Sequence, residues 1–333
     1  MILAIETSCD DTCASILTPE GEVLSSVITG QEEIHAEYNG IVPELASRRH
    51  CELINIVLKK TLARAGIELE DLTEVAVTYG PGLIGSLLTG IAAAKAIAAR
   101  FDIPLIPVNH IEAHAYCLLL EYDLEYPFIS LVASGGHSML LEVKSGTEYE
   151  LLGRTRDDAA GEAYDKVANM LNLGYPGGPA IQKLAQDGNP ETIKFPRPTL
   201  GDGKRWQWRV ENYDFSFSGL KTAVYYHLKD NPEADKANVA ASFQQAVNDC
   251  LVHKTIEAAR EYGVNTICVG GGVAANQNLR DNFNHRAEKK GIRVLFPSLQ
   301  WCTDNAAMIG LRATDTEEEA PLTLNAQPNL SVL

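Results

Sequence analysis

Two stretches of the chain repeat one order of apolar and polar segments. A short apolar run at residues 2–6 is followed by a polar turn, by apolar runs at 13–17 and 23–29, and by a helical pattern at 41–65. The same order returns over 128–172. Short apolar runs between turns are typical of strands, and apolar positions three and four apart are typical of helices. We therefore predict an internal duplication of three strands followed by a helix.

The segments between and after these repeats alternate between strand and helix. The pattern predicts strands at 74–79 and 105–108, a helix that ends near Arg100, and a helix at 110–121. Residues 174–238 are irregular and rich in Gly and Pro, so we interpret them as an insertion that carries specificity. The remaining predicted elements are helices at 179–187, 239–262, 275–290 and 303–314, strands at 266–270 and 292–296, and an acidic tail from Asp315 that frays.

Composition and charge limit the function classes. With 333 residues, 45% of them apolar, the chain is long enough for roughly two domains. Its formal charge of −16 repels nucleic acid and anionic membranes as a whole, although a local basic patch would override that repulsion. The seven cysteines are scattered without a C-x-x-C pair, as expected in a reducing compartment. We expect no signal peptide, and we expect the apolar residues 83–99 to form a buried helix and not a membrane span.

Three polar turns are candidates for binding an anionic ligand. The turns at 6–12 and 133–138 join the first two strands of each repeat, and the turn at 270–276 lies between a strand and a helix. Adjacent glycines such as Gly135 and Gly136 let backbone N–H groups approach a ligand, and a helix N-terminus favours negative charge. One such turn alone is usually only a turn. Three of them in a duplicated scaffold predict a nucleotide-like ligand between the lobes.

Residues 80–85 read G-P-G-L-I-G and match the dinucleotide-binding fingerprint literally. That fingerprint normally follows the first strand of a parallel sheet, with an acidic residue at the end of the next strand. Here three strands precede it, and Asp102 comes before the next strand. We therefore favour close packing, or close approach of the backbone to a ligand, over a dinucleotide fold.

His110 and His114 are candidate metal ligands, because a spacing of four places both imidazoles on one face of a helix. The alternative is a pair of partly buried histidines that only pack and hydrogen-bond locally. Glu112 points away from that face, so the spacing excludes the H-E-x-x-H arrangement of zinc proteases. A third ligand is needed. Asp304, near the start of the last predicted helix, is a candidate, although a carboxylate there can also serve only the helix dipole.

Two basic clusters stand out in this acidic chain, R-R-H at 48–50 and K-R-W-Q-W-R at 204–209. The second interleaves tryptophans with cations as base-stacking surfaces do, but an ordinary loop anchored by its tryptophans has the same composition. The chain has no G-x-x-x-x-G-K-[ST] motif and hence no P-loop, and no convincing Ser/His/Asp arrangement.

Several segments together resemble one protein family, the bacterial TsaD proteins, which are tRNA adenosine threonylcarbamoyltransferases. The resemblance runs from residue 2 to about 314 and is carried by motifs that are specific in combination. They are I-E-T-S-C-D-D-T (5–12), Y-G-P-G-L-I-G-S-L (79–87), N-H-I-E-A-H (109–114), S-G-G-H-S (134–138), G-E-A-Y-D-K-V-A (161–168), G-Y-P-G-G-P (174–179), F-S-F-S-G-L-K-T (215–222), G-G-G-V-A-A-N (270–276) and C-T-D-N-A-A-M-I (302–309).

The resemblance implies an α/β fold of the actin, sugar-kinase and Hsp70 type (ASKHA), with two duplicated RNase H-like lobes and a cleft between them. The first lobe would be residues 1–125 with the histidine helix, and the second 126–333 with the insertion 174–238. The implied reaction moves the threonylcarbamoyl group from threonylcarbamoyl-AMP to N6 of adenosine 37 in tRNAs that read ANN codons. It forms N6-threonylcarbamoyladenosine (t6A) and releases AMP.

The resemblance also implies site residues. His110, His114 and Asp304 would bind one divalent metal per subunit, usually iron, with a donor set that also suits zinc. Asp10 and Asp11 are candidates for orienting water or phosphate, and no general base is identified. Gln182 stands where the family often has Asp, so its contact with the ribose loses a charge. The residues that would hold the adenylate, or an ATP- or ADP-like nucleotide, are Ala133, Ser134, Gly135, Gly136, His137, Asp165, Gly178, Gln182 and Asn276.

The implied enzyme is cytoplasmic, involves no membrane, and works with an inactive paralogue of the same fold (TsaB-like) and a small P-loop ATPase (TsaE-like). Partner surfaces would then supply part of the tRNA site that an acidic chain lacks. Two rival functions share the fold. A small-molecule kinase would use ATP and magnesium without a histidine pair, and a non-enzymatic scaffold would lack the metal residues.

Overall fold

The computed structural model describes residues 1–197, 212–316 and 318–331, and the chain divides into two compact units. Unit 1 consists of Met1–Leu124 and Thr303–Leu333, and unit 2 of Glu125–Cys302. The sequence assigned residues 303–333 to the second lobe, whereas the structure packs this segment with the first. The basic cluster at 204–209 lies outside the described residues.

Unit 1 is built on a five-stranded sheet with the strand order β3-β2-β1-β4-β5. The first three strands pair antiparallel, and β1, β4 and β5 pair parallel. The strands are β1 (Ile2–Glu6), β2 (Thr12–Leu17), β3 (Val23–Thr29), β4 (Glu74–Gly80) and β5 (Leu105–Asn109). The helices are α1 (Glu32–Ala36), α2 (Pro43–Ala65), α3 (Ile84–Phe101), α4 (His110–Tyr116) and α10 (Ala306–Thr314). A 3-10 helix (Cys117–Leu120) continues α4, which is shorter than predicted.

Unit 2 repeats this sheet with the order β10-β9-β6-β7-β8. Again the first three strands pair antiparallel, while β9 pairs parallel to β6 and β10 pairs parallel to β9. This confirms the predicted duplication, and the mixed sheets exclude the dinucleotide fold. The strands are β6 (Phe128–Ala133), β7 (Ser138–Val143), β8 (Tyr149–Arg154), β9 (Thr266–Gly270) and β10 (Arg293–Leu295). The helices are α5 (Ala160–Met170), α6 (Gly177–Ala185), α7 (Ser218–Asp230), α8 (Lys236–Glu261) and α9 (Gln277–Glu288).

Helices cover both faces of the first sheet. Every residue of β1 and β2 is buried, as expected for strands packed on both sides. Leu3 and Ile5 share one core with α2 and α3, while α10 packs against β1, β2 and α4. Gly310 permits this approach of α10, because a Cβ there would lie 2.1 Å from Leu17 Cδ1. This packing assigns the last helix to unit 1 despite its position in the chain.

The tail after α10 is ordered against unit 1. Ala320 and Ala326 pack on its core. Backbone hydrogen bonds join Ala320 N to Leu105 O (2.8 Å) and Gln327 N to Tyr79 O (2.8 Å). The prediction of a fraying tail is therefore wrong from Ala320 onward.

α3 is the one helix of the described chain that is long and apolar enough to cross a membrane by length and composition. Its Leu87, Ile91, Ala94 and Ala98 lie in the core of unit 1 with residues of β1 and β4. A single helix of this kind is weak support for a membrane span. It is the partly buried core helix that the sequence predicted.

Candidate metal centre and nucleotide site

The histidine helix starts directly at the end of an edge strand. Asn109, the last residue of β5, caps α4, because its Oδ1 accepts a hydrogen bond from Ile111 N (2.9 Å). His110 and His114 then lie one turn apart, 5% and 0% exposed. Their ring centroids are 4.6 Å apart. Both imidazoles are therefore held inside unit 1, on the same face of α4.

Asp304 brings a third donor to the histidine pair. Its Oδ1 lies 3.1 Å from His114 Nε2 and 3.6 Å from His110 Nε2. Two ligands held at about 2.1 Å from one ion, at a tetrahedral angle, are about 3.4 Å apart, so these separations fit a shared metal. All three residues belong to unit 1. The structure thus brings the predicted triad together within one unit.

The carboxylate of Asp304 faces the histidines and does not cap the helix that follows it. Asn305, and not Asp304, caps α10, because Asn305 Oδ1 accepts from Met308 N (2.9 Å). Cys13 Sγ lies 3.5 Å from the Asp304 carbonyl oxygen and braces this loop against β2. The alternative in which Asp304 serves only the helix terminus is therefore disfavoured.

Glu6, the last residue of β1, holds the other nitrogen of His110. Its Oε2 lies 3.0 Å from His110 Nδ1 and also accepts from Thr78 Oγ1, while its Oε1 accepts from Ser8 N. Glu6 is completely buried. Sequence reasoning missed this residue, and the only signal was a carboxylate that closes a buried apolar strand.

Burial and neighbouring charges give the two histidines different pKa values. Burial lowers the pKa of His110, but the charges of Glu6 and Asp304 outweigh burial and raise that pKa to about 9. Burial lowers the pKa of His114, with a further contribution from the His110 charge, despite the hydrogen bond to Asp304. Burial opposes ionisation of Glu6, yet its pKa is lowered because the His110 charge outweighs burial. A metal held by both imidazoles would therefore displace a proton from His110.

Asp10 and Asp11 lie in the turn between β1 and β2, close enough to Asp304 to respond to its charge. Burial and then repulsion by Asp304 raise the pKa of Asp10. Burial, then Asp304, Asp10, Glu32 and Glu6, raise the pKa of Asp11 to about 8. Carboxylates crowded in this way gain from a nearby cation. The surroundings of the triad therefore favour metal binding.

His50 fixes the position of that turn. Its Nε2 donates to the Cys9 carbonyl (3.0 Å), and its Nδ1 lies 2.8 Å from Thr12 Oγ1. Burial lowers the pKa of His50, in keeping with a neutral ring that donates on one side and accepts on the other. Arg48 and Arg49 make ion pairs within α2. The cluster at 48–50 is thus a helix surface and a structural histidine.

The glycines of the G-P-G-L-I-G stretch allow close packing, as predicted. A Cβ at Gly82 would lie 2.5 Å from Ser8 O, and one at Gly85 would lie 2.8 Å from Ser47 Cβ. Leu83 N donates to Ser8 O (2.8 Å). The start of α3 is thereby held against the turn that carries Asp10 and Asp11.

Glu112 faces away from the triad, as the helical spacing predicted. Its Oε2 lies 3.3 Å from Arg312 Nε, and the Arg312 guanidinium lies 4.9 Å from the ring centre of Tyr116. These contacts tie α4 to α10, the helix that Asp304 precedes. They stabilise the relative position of the metal donors.

In unit 2, the turn between β6 and β7 has room for a ligand. Ser134 N donates to His137 O (2.8 Å), and Ser134 Oγ accepts from His137 N (3.2 Å). A Cβ at Gly135 or Gly136 would meet nothing within 4 Å. The turn therefore has free space on the Cβ side of both glycines. On its other side it packs against Gly161 of α5, and Ser138 Oγ accepts from the first N–H of that helix.

The turn after β9 lies against the turn after β6. Gly271 has φ +87°, and a Cβ there would lie 2.3 Å from Ala133 O, so only glycine fits. Asn276 follows as the cap of α9. Its Oδ1 accepts from Leu279 N (2.9 Å), and its Nδ2 donates to Gln244 Oε1 (2.8 Å). Its side chain is thus engaged in the fold.

The remaining predicted nucleotide residues connect α5, α6 and α9. Asp165 Oδ1 accepts from Gly177 N (2.7 Å). At the adjacent Gly178, a Cβ would meet nothing within 4 Å. Gln182 Oε1 accepts from Gln277 N (2.7 Å) at the start of α9. All predicted nucleotide residues therefore lie in unit 2, on elements joined by these contacts.

A cavity of about 610 Å³ opens beside the β6–β7 turn. Arg156 Nε lies 2.5 Å from Asp214 Oδ2, and Arg154 is exposed. The cavity therefore presents the exposed Arg154 guanidinium beside this turn, whereas the charge of Arg156 is paired with Asp214. The lining residues are His137, Ser138, Met139, Arg154, Thr155, Arg156 and Asp214.

Known proteins resemble the chain over its whole length. The family model for tRNA N6-adenosine threonylcarbamoyltransferase matches residues 22–311. A protein of that description from Kosmotoga olearia is 47% identical over 336 residues, covering 100% of this chain and 99% of its own. One from Clostridium perfringens is 48% identical over 338 residues, covering 99% of this chain and 97% of its own.

Solved structures resemble the chain in fold. The activator of the 2-hydroxyisocaproyl-CoA dehydratase from Clostridium difficile has a TM-score of 0.55 at 14% identity and covers 94% of each chain. HypF from T. kodakarensis has a TM-score of 0.62 at 15% identity and covers 94% of this chain and 46% of its own. The likeness confirms the predicted ASKHA-type fold.

Proposed function

The chain belongs to the family of tRNA N6-adenosine threonylcarbamoyltransferases, and from this membership we propose how its residues perform the reaction. The protein is an enzyme that forms t6A in tRNA. We propose threonylcarbamoyl-AMP as the donor, adenosine 37 of tRNAs that read ANN codons as the acceptor, and AMP as the leaving group. The observation that carries this proposal is the convergence of His110, His114 and Asp304 in a member of the family.

The proposed metal centre consists of the Nε2 atoms of His110 and His114 and Oδ1 of Asp304. Two imidazoles and one carboxylate with open positions are typical of iron(II) and also suit zinc, and we propose iron. The bound metal would supply Lewis acidity and orientation at a phosphate or carbamoyl oxygen. Asp10 and Asp11 would orient water or phosphate beside it, which fits their closeness to Asp304.

The proposed adenylate site lies on unit 2. The backbone N–H groups of Gly135 and Gly136 would stabilise charge that develops on the leaving phosphate, which fits the free space on the Cβ side of both glycines. Gln182 would reach a ribose hydroxyl through its Nε2, since its Oε1 already accepts from Gln277 N. Asn276 would act by holding the N-terminus of α9, because both of its side-chain atoms are engaged. Ala133, Ser134, His137, Asp165 and Gly178 complete the proposed set.

The acceptor needs positioning more than activation by a protein nucleophile. The exocyclic amine of adenine is a weak nucleophile, and a correctly held amine gains mainly from proximity to the carbamoyl carbon. The chain would therefore act by binding, orientation and charge stabilisation, without a covalent intermediate on a side chain.

Location and partners complete the proposal. The enzyme would act in the cytoplasm, together with an inactive paralogue of its fold and a small P-loop ATPase. The formal charge of −16 supports this, because phosphate contacts with tRNA need cations that partner surfaces would supply.

A reconstitution tests the proposed function. The chain is incubated with both partners, threonylcarbamoyl-AMP and unmodified tRNA, and nucleosides are analysed by mass spectrometry. We expect t6A from the wild type and a loss of at least about 100-fold with His110→Ala, in line with removal of a metal's charge stabilisation. His285→Ala, an exposed histidine on α9, is the matched control and should keep full activity. Equal activity of His110→Ala and wild type would refute the metal's role.

A further inference from the structure

We propose that Glu6 is the positioning residue of the metal centre: its carboxylate holds His110 with Nδ1–H directed at Glu6 and Nε2 directed at the metal. The inference rests on the proposed metal centre and deepens it. Glu6 lies 104 residues from His110 in the chain, so the fold and not the local sequence brings the two side chains together.

The carboxylate of Glu6 is fixed on both oxygens. Its Oε1 accepts from Ser8 N, and its Oε2 accepts from Thr78 Oγ1 and lies 3.0 Å from His110 Nδ1. The residue is completely buried at the end of β1, between strands β2 and β4. A carboxylate held by Ser8 in the turn after β1 and by Thr78 on β4 is restrained from rotating, so it sets the direction of the imidazole.

This contact decides which nitrogen of His110 can bind a metal. An ionised carboxylate only accepts hydrogen bonds, so the nitrogen that faces it must carry a proton. Nδ1 therefore keeps its hydrogen when a metal displaces the proton of Nε2, and the lone pair of Nε2 then lies on the side of Asp304, whose Oδ1 is 3.6 Å away. A carboxylate behind a ligating histidine fixes the ring and its tautomer and raises its basicity.

His114 has no comparable partner. Its Nδ1 is buried and has no hydrogen-bond partner among the described residues. Its orientation rests on the edge-to-face contact with His110 and on Asp304. A shift of the His110 ring would therefore also disturb His114, which makes Glu6 important for both imidazoles.

Glutamine at position 6 cannot reproduce these contacts. If its oxygen faces His110 Nδ1 and Thr78 Oγ1, its NH₂ group faces Ser8 N–H and two donors oppose each other. If it is flipped, the NH₂ group faces His110 Nδ1, which must then accept. The proton of a neutral ring moves to Nε2, and Nε2 can no longer ligate. Either arrangement weakens the metal site.

The first test measures metal binding and not activity. Metal-free wild type and Glu6→Gln are titrated with Co²⁺, and the visible absorption gives both the affinity and the coordination geometry. We expect the substitution to weaken binding by about 10–100-fold and to change the spectrum. Thr61→Val is the matched control: it removes a buried hydroxyl of α2 in the same unit, which donates to Ala14 O and Val57 O and not to Glu6. It should lower the melting temperature and leave the Co²⁺ spectrum unchanged.

A second test uses only the wild type, so it stands even if Glu6→Gln does not fold. In zinc-loaded protein with ¹⁵N-labelled histidine, His110 should show a protonated Nδ1 and a metal-bound Nε2. Metal bound through Nδ1, or equal Co²⁺ affinity of Glu6→Gln and wild type, would overturn the role of Glu6 alone. Failure of the wild type to bind Co²⁺ or Zn²⁺ would instead overturn the proposed metal centre.

Discussion

Asp11 is repelled by neighbouring carboxylates and would be attracted by a metal ion bound at the triad. Burial, then Asp304 and the other carboxylates around the turn, raise its pKa to about 8 in the folded protein. In the unfolded chain an aspartate has a pKa of about 3.9. Between these values the folded state binds the proton and the unfolded state does not. Stability therefore falls as the pH rises from about 4 to about 8, and the full penalty remains above that range.

We predict that Asp11→Asn raises the melting temperature of the metal-free protein. Asparagine cannot ionise, so the gain should be absent near pH 4 and grow as the pH approaches 8. Each kcal/mol of relief corresponds to a gain of roughly 2–4 °C in a domain of this size. Differential scanning fluorimetry in the presence of a chelator, at several pH values, measures it.

The control for this prediction is Glu33→Gln, which neutralises an exposed carboxylate on α1 and should follow the wild type at every pH. The same Asp11→Asn protein should form t6A more slowly, because it loses a charge beside the proposed metal. If the melting temperatures of Asp11→Asn and wild type changed with pH in parallel, Asp11 would not be destabilised by the neighbouring carboxylates.

The residues of the metal triad could be predicted, but their environment could not. A spacing of four places His110 and His114 on one helix face whatever the tertiary structure, and the family resemblance adds Asp304. The sequence did not identify Glu6, because its contact with His110 depends on β1 and β5 both pairing with β4 in one sheet. No local pattern specifies that pairing. Asn276 was predicted to bind the ligand, and the structure adds that it caps α9.

At the scale of elements, a glycine at the end of β4 allows the C-terminal tail to pack closely against unit 1. A Cβ at Gly80, the last residue of β4, would lie 2.1 Å from Gln327 O and 3.0 Å from Leu330 Cβ. We predict that Gly80→Ala displaces the tail and breaks the bond from Gln327 N to Tyr79 O. Overpacking of this kind costs about 1–3 kcal/mol, which denaturant unfolding would measure.

Limited proteolysis gives a second readout, since a displaced tail should be cleaved faster than in the wild type. Gly219→Ala is the control, because a Cβ at that position in α7 would meet nothing within 4 Å. Unchanged stability and proteolysis of Gly80→Ala would show that the tail does not depend on this contact.

Most elements followed from periodicity, and the exceptions have physical reasons. Strands packed on both faces, such as β1 and β6, are apolar throughout and were predicted within a residue or two. α7 was missed because it lies inside the Gly- and Pro-rich stretch 174–238. The tail was predicted to fray because it begins with acidic residues. The packing of Ala320 and Ala326 could not be predicted, because their partners in the core of unit 1 are distant in sequence.

At the scale of the whole molecule, the sequence predicted the duplication but not the return of the C-terminal segment to unit 1. The repeated order of strands fixes two similar sheets. The return of residues 303–333 to unit 1 depends on α10 packing against β1 and β2, which the order of elements along the chain does not specify. This return matters for the chemistry, because it completes the triad with Asp304 inside unit 1.

The charge of the molecule leads to a prediction for tRNA. A formal charge of −16 opposes a polyanion, and the arginines at 48 and 49 are paired within α2. We predict that the isolated chain binds unmodified tRNA weakly and that both partners together strengthen binding. Fluorescence anisotropy at about 50 and 200 mM salt measures both affinities, since contacts to phosphates weaken steeply over this range. Tight, salt-sensitive binding by the chain alone would place the cationic RNA surface on this protein and remove the need for partner surfaces.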